Sequence, residues 1–233
     1  MKRILVPTKS GADWRRLLAR PEVHWKSGAS AMTAAASWEA ANGALPQEIS
    51  LLLDSSGRGE LSELRLLAAV PEWEVELEGG ATPSHTDVLA ICRNNSGLCI
   101  IAVEAKVLED FGPTLGEKRR AASEGQINRL HYLLRLLGVE NFEDGVRYQL
   151  IHRTASALLT AKDFHGASAV MLVHAFGTPA DRRKEFEEFA AAMRAKQIGR
   201  GIYAVPRLEK PTLYLAWCDG DARFLKAELP TSA

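Results

Sequence analysis

The sequence predicts an α/β fold, a mixed central sheet with helices on both faces. Three observations carry this. The first third of the chain has helical periodicity broken by Pro and Gly. The middle changes to strand-like runs around a short polar spacer, and the remainder alternates helical segments with short apolar runs.

The elements follow in order. GADWRRLLAR (11–20) reads as a first helix, stopped by Pro21. A second covers HWKSGASAMTAAASWEAANG (24–43), with Ser27 or Ser30 near its start and Gly43 as its stop. Pro46 suits the first turn of a third, LPQEISLLLDSS (45–56), and GELSELRLLAAV (59–70) is a fourth, ended by Pro71. EWEVELEGG (72–80) alternates like a half-buried strand, with Gly79 and Gly80 at its turn. TDVLAICR (86–93), the spacer NNSG and LCIIAVEAKV (98–107) form a hairpin pattern. Residues 116–138 read as a helix ended by Gly138, RYQLIHR (147–153) as a short strand, and TASALLTAKDF (154–164) as a helix. SAVMLVHAF (168–176) is a strand and 179–199 an amphipathic helix, and PTLYLAWCDG and ARFLKAEL close the chain as a hairpin.

With 233 residues, 46% apolar and 25% charged, the chain suits one soluble domain with a substantial core. Its 29 basic and 29 acidic residues cancel, which argues against a partner held mainly by long-range charge and leaves room for a local basic patch. Cys92, Cys99 and Cys218 form no CxxC pair and read as small buried hydrophobes, a usage suited to a reducing cytoplasm. No signal-like or membrane-spanning run is expected, so the expected location is cytoplasmic. The six histidines show no HxxxH or HExxH spacing, and there is no Walker loop, GxGxxG or GxSxG. Trp25 and Trp38 stand among small residues, which suits close helix packing.

The stretch HTDVLAICRNNSGLCIIAVEAK (85–106) singles out a site. Alternate residues of a strand share a face, so Glu104 and Lys106 are neighbours. If the two runs pair antiparallel about NNSG, Asp87 meets Glu104 or Lys106. Paired carboxylates supply the oxygen ligands that Mg²⁺ prefers, and an adjacent lysine can orient a water or stabilise charge in phosphodiester hydrolysis. The bland alternative is that Asp87 caps a turn and that Glu104 and Lys106 form an exposed pair. "LCIIAV", apolar on both faces, argues for a central strand, where terminal charges need a reason.

Asp87, followed after one hairpin by Glu104-Ala105-Lys106, resembles the PD-(D/E)XK nuclease superfamily, the restriction-endonuclease-like fold. Thr86 stands where that motif has its proline, and Pro83 lies further upstream. The element order is similar to that family's αβββαβ core over residues 47–176, with a helical addition at 1–46 and a helix plus β-hairpin at 177–233. The phrases IAVEAKV, FGPTLGEKRRA, RYQLIHRTASAL and AVMLVHAF look like one bacterial branch of it.

The resemblance implies Asp87, Glu104 and the Ala105 carbonyl as ligands of Mg²⁺ (or Mn²⁺), with Lys106 as the catalytic lysine. It implies a further carboxylate from the first core helix, Glu60 or Glu63, with Glu63 preferred. Gln126, Gln149 and Arg153 become candidates for phosphate contact, the last two flanking a strand-to-helix junction. Lys118 and Arg119, in the basic run EKRR, join them as candidate nucleic-acid contacts, although a solvated helix start explains that run equally well. The implied function is a metal-dependent nuclease acting on DNA, in restriction, phage defence or repair. A homodimer would suit cutting of both strands. The alternatives are a non-catalytic member binding nucleic acid or protein, and a metal-dependent hydrolase of a small phosphoester.

Overall fold

The computed structural model describes residues 11–80, 82–120 and 122–229. Seven strands form one sheet in the order β1-β2-β3-β4-β7-β6-β5. They are β1 (Arg65–Val75), β2 (Ser84–Asn94), β3 (Gly97–Lys106), β4 (Ser168–Ala175), β5 (Lys196–Gly199), β6 (Ile202–Val205) and β7 (Thr212–Asp219). β1, β2 and β3 form an antiparallel meander, while β3, β4 and β7 run parallel. The sheet is therefore mixed, as expected.

Seven α-helices accompany it among the described residues: α1 (Pro21–His24), α2 (Ser30–Ala40), α3 (Gln47–Asp54), α4 (Leu115–Arg120), α5 (Glu124–Leu137), α6 (Tyr148–Asp163) and α7 (Ala180–Ala192). One face of the sheet packs on α5, α6 and α7 through Leu89, Ile100, Ala102, Leu133, Leu150, Ile151 and Phe186. The other packs on α2 and α3 through Val88, Ile101, Val103, Trp38, Ile49 and Leu53. Trp25 and Trp38 both lie in that second core, in keeping with helix packing. All three cysteines are free and buried.

The hairpin expected about NNSG is present. Its partners run from Asn94↔Gly97 to Val88↔Val103, so one further step places Asp87 opposite Glu104. β3 is buried along nearly its whole length and lies between β2 and β4. This is why it reads as a continuous apolar run.

Several assignments differ from the sequence reading, among them the end of the helix expected over 179–199, where α7 stops at Ala192 and residues 196–199 form β5. The segment expected as a helix over 59–70 is a turn followed by β1, which continues through Pro71. A proline is tolerated there because β1 is the sheet's edge and one side of its backbone needs no ladder partner. RYQLIHR is not a strand, since Tyr148–Asp163 is one helix, α6. Residues 116–138 are two helices, α4 and α5. Ser123 caps α5, its Oγ accepting from the Gln126 N–H while Gln126 Oε1 accepts from the Ser123 N–H, and Gly138 ends it in the left-handed region at φ 69°. Finally, ARFLKAEL forms no strand. β7 lies inside the sheet between β4 and β6, and residues 222–226 are a 3-10 helix.

Candidate active site

The site lies at the end of β3, under the first turns of α6. Asp87 Oδ2 accepts a hydrogen bond from the Ala105 N–H at 2.7 Å, which ties the start of β2 to the end of β3. The Lys106 Nζ lies 3.0 Å from Glu104 Oε1. From α6, Gln149 Nε2 donates to the same oxygen at 2.8 Å, and Arg153 Nε donates to Glu104 Oε2 at 2.5 Å. Residues four apart share a helix face, so α6 presents Gln149 and Arg153 together. Arg153 Nη1 also donates to Ser84 Oγ at 2.9 Å, and Ser84 Oγ lies 3.0 Å from His152 Nδ1. Beyond Lys106, its ammonium sits over the Phe111 ring at 5.3 Å, and the Thr178 hydroxyl donates to its carbonyl.

A carboxylate that the sequence reading missed joins this group. Glu72 and Asp87 fall between the β1–β2 pairs Pro71↔Val88 and Trp73↔Thr86. Glu72 has φ 52°, a left-handed conformation unusual for a side chain of its size inside a strand. Residues held there tend to mark sites of function.

Three carboxylates (Glu72, Asp87, Glu104) thus surround two cations (Lys106, Arg153). Burial and the Asp87 charge push the Glu72 carboxyl up to about 8. Burial and the Glu104 charge push Asp87 up to about 7. Glu104 goes the other way. Burial opposes its ionisation, but Arg153 and Lys106 outweigh it and hold Glu104 down at about 2. For Lys106, burial opposes the charge, but Glu104 and Asp87 outweigh it and raise its pKa. The lysine is therefore a cation at neutral pH.

These groups fit a hard divalent cation by their donor chemistry. Asp87 and Glu72 are pushed toward protonation first by burial and then by the neighbouring carboxylates, and a cation beside them would offset both. They do not enclose a cation as they stand. Among the described residues, no group of three His, Cys, Asp or Glu is arranged to hold a metal ion. Both Glu104 oxygens are engaged by Arg153, Gln149 and Lys106.

The other expected residues are placed as follows. Glu63 is not part of the site. It is exposed, its N–H donates to Asp54 Oδ1, and it precedes Arg65, which pairs with Arg93 at the hairpin-turn end of the sheet, away from Asp87. Its expected helix is absent, so no helical face carries it toward the motif. Glu60 is also elsewhere, accepting from the Tyr214 hydroxyl at 2.5 Å. Gln149 and Arg153 hold Glu104 from α6 instead of flanking a strand-to-helix junction. Gln126 closes the α5 capping box. Arg119 donates to Asp144 and Phe142, and to Asn141 through a short contact. Lys118 lies over the Tyr148 ring at 5.4 Å.

Beside the site is a cleft of about 910 Å³. Its walls come from the loop before β2, the α4–α5 segment and the start of α6, and include Ser84, Lys118, Arg129, Tyr148 and His152. Glu104 lies behind this wall, joined to it through Arg153 and Ser84.

A family model described as Domain of unknown function (DUF6946) matches residues 7–222. No curated protein and no solved structure matches the chain.

Proposed function

The chain belongs to the family described as Domain of unknown function (DUF6946), and we propose from the site itself that it is a metal-dependent phosphodiester hydrolase, a nuclease acting on DNA with Mg²⁺ or Mn²⁺. The observation that carries the reading is the convergence of Glu72, Asp87, Glu104 and Lys106 at the end of a buried central strand, with two of the three carboxyls pushed toward their neutral forms. A structural ion pair needs one acid for each base; here a third carboxyl is buried beside the two cations, and a metal ion would favour its ionised form. The antiparallel meander followed by a parallel crossover from β3 to β4 also supports a restriction-endonuclease-like core.

Asp87, Glu104, the Ala105 carbonyl and Glu72 are the groups that would hold the cation, and Gln149 and Arg153 orient Glu104. When bound, the cation would polarise the phosphoryl group and acidify a water. Lys106, being protonated, acts as a donor to the charge growing on the phosphoryl oxygens, not as a base. Thr178 and Phe176 hold the Lys106 carbonyl, which limits the lysine's backbone freedom.

The test is cleavage of supercoiled plasmid and of single-stranded DNA, with and without metal, by wild type and Lys106→Ala. Metal-dependent cutting should fall by at least two orders of magnitude in the variant. Equal cutting by both proteins would remove Lys106 from the chemistry, and wild type that cuts nothing would sink the nuclease reading.

A further inference from the structure

The cleft beside the carboxylates has the size of a small-molecule site. Its volume of about 910 Å³ lies within the range that encloses one compact ligand. It is walled on three sides by the loop before β2, α4–α5 and α6. That wall is fixed. The Arg129 guanidinium donates to the carbonyls of Leu77, Gly80 and Thr82, with distances of 2.7 to 2.8 Å. Gly79 packs so closely that a methyl group there would lie 2.3 Å from the Arg129 backbone nitrogen. A docked duplex would need a long open groove, and this loop and α5 are stitched together across one end of the space.

The lining suits an anion joined to a planar ring. Lys118 is half-buried, and its ammonium lies 5.4 Å from the centre of the Tyr148 ring. Tyr148 and His152 stand side by side in the wall, with ring centroids 5.2 Å apart. An aromatic platform with a cation is how unpaired bases and their phosphates are held. Ser84 and His152 connect the wall to Arg153 and so to Glu104. A ligand against Ser84 is thus two hydrogen bonds, through Arg153, from Glu104.

We propose that this cleft binds an unpaired nucleotide, its phosphate on Lys118 and its ring against Tyr148 and His152, so that the hydrolysed ester belongs to a single strand or a free nucleotide and not to an intact duplex. The inference rests on the hydrolase reading for its consequence, but the binding itself needs neither metal nor turnover.

The experiment is fluorescence anisotropy in EDTA with a labelled ten-nucleotide single strand, the same sequence as a blunt duplex, and an unlabelled deoxynucleoside monophosphate as competitor. The single strand should bind at least tenfold more tightly than the duplex. Lys118→Met should weaken it about tenfold and Lys118→Arg should retain it, with unchanged thermal unfolding in both. Displacement by the monophosphate at a concentration comparable to the strand identifies a free-nucleotide ligand, and a much weaker effect identifies a strand end. Both outcomes keep the proposal. Duplex binding as tight as single-strand binding, unchanged affinity in Lys118→Met, or no binding of any probe would overturn it. Single-strand binding without metal-dependent cleavage would leave the cleft standing and defeat the hydrolase reading alone.

Discussion

At the scale of single residues, the centre of the site is Glu104, whose two oxygens take three donors from two elements. Buried carboxylates are tolerated when so satisfied. Asp87 and Glu104 were legible in the sequence because two β-rich runs and a four-residue spacer define a register, and Lys106 follows two places on. Glu72 was not legible. Its place beside Asp87 depends on how β1 pairs, and its left-handed backbone has no sequence signature in a run of Glu and Trp. Glu63 was preferred for the opposite reason, a helical pattern that the fold does not use. His152 gives a prediction at this scale. Burial, helped by the Arg153 charge, pushes its ring down to about 3, so it stays neutral in the fold. An unfolded histidine protonates near pH 6.5. As pH falls below 6.5 the unfolded chain gains a proton that the native chain refuses, and stability drops until the native group titrates near 3. Between pH 7.5 and 5.5 this amounts to at most about 1.4 kcal/mol. Asp87 and Glu72, whose carboxyls are raised in the fold, act in the opposite sense over the same range, so the comparison is between proteins: urea unfolding at both values should show a change from pH 7.5 to 5.5 that is less favourable in wild type than in His152→Gln by about that amount. Equal slopes in the two proteins would show that His152 protonates as easily in the fold as outside it.

At the scale of elements, the errors have physical causes. RLLAAV before Pro71 is apolar without alternation, because β1 carries an irregularity between Leu66 and Ala68 that shifts its faces. A bulge erases the period-two signal, and a following proline then reads as a helix stop. RYQLIHR alternates like a strand, yet its polar members Gln149 and Arg153 face Glu104 from the first turns of a helix. The buried polar side chains that bond Glu104 spoiled the amphipathic pattern there. The short strand β5 lies at the end of the 179–199 run, whose helical start, α7, dominates the pattern, and β6 follows it after a two-residue turn. The association of α5 with the loop before β2 was also invisible, since nothing in EGG names its partner. Gly79 has φ 87° and no room for a side chain against Arg129. Gly79→Ala should therefore cost about 1–3 kcal/mol through strain and lost packing. The loss should be local, because Leu133 and Leu137 still bury the far part of α5. Hydrogen exchange should accelerate at the start of α5 and leave β3 and β4 unchanged. Uniform acceleration, or none, would show that this contact does not set the docking of α5.

At the scale of the whole molecule, the balance of 29 acids against 29 bases conceals a local imbalance. A neutral protein has no general field to offset a buried acidic cluster, so compensation must come from nearby groups. Lys106 and Arg153 face Glu72, Asp87 and Glu104 at the end of β3, where burial and mutual repulsion press Glu72 and Asp87 toward their neutral forms, and a bound cation would favour their ionised forms. The fold itself needs none. Its two cores close on either face of the sheet, and among the described residues no helix is long and apolar enough to cross a membrane. A metal that binds only the native state should therefore stabilise the molecule by mass action, apart from any chemistry. At a concentration one hundred times the dissociation constant, the gain is about 2.7 kcal/mol. For a chain of this size that raises the melting temperature by roughly 5–10 °C. Wild type scanned with EDTA, Mg²⁺ or Mn²⁺ should show that rise with metal, and Asp87→Asn should lose most of it. The metal-free variant should be at least as stable as metal-free wild type, because one carboxylate has left a crowded group. A melting temperature indifferent to millimolar Mg²⁺ and Mn²⁺ would mean that Arg153 is the cation Glu104 keeps. The carboxylate cluster would then organise the wall of a binding cleft, and the metal-dependent reaction would have no place in this fold.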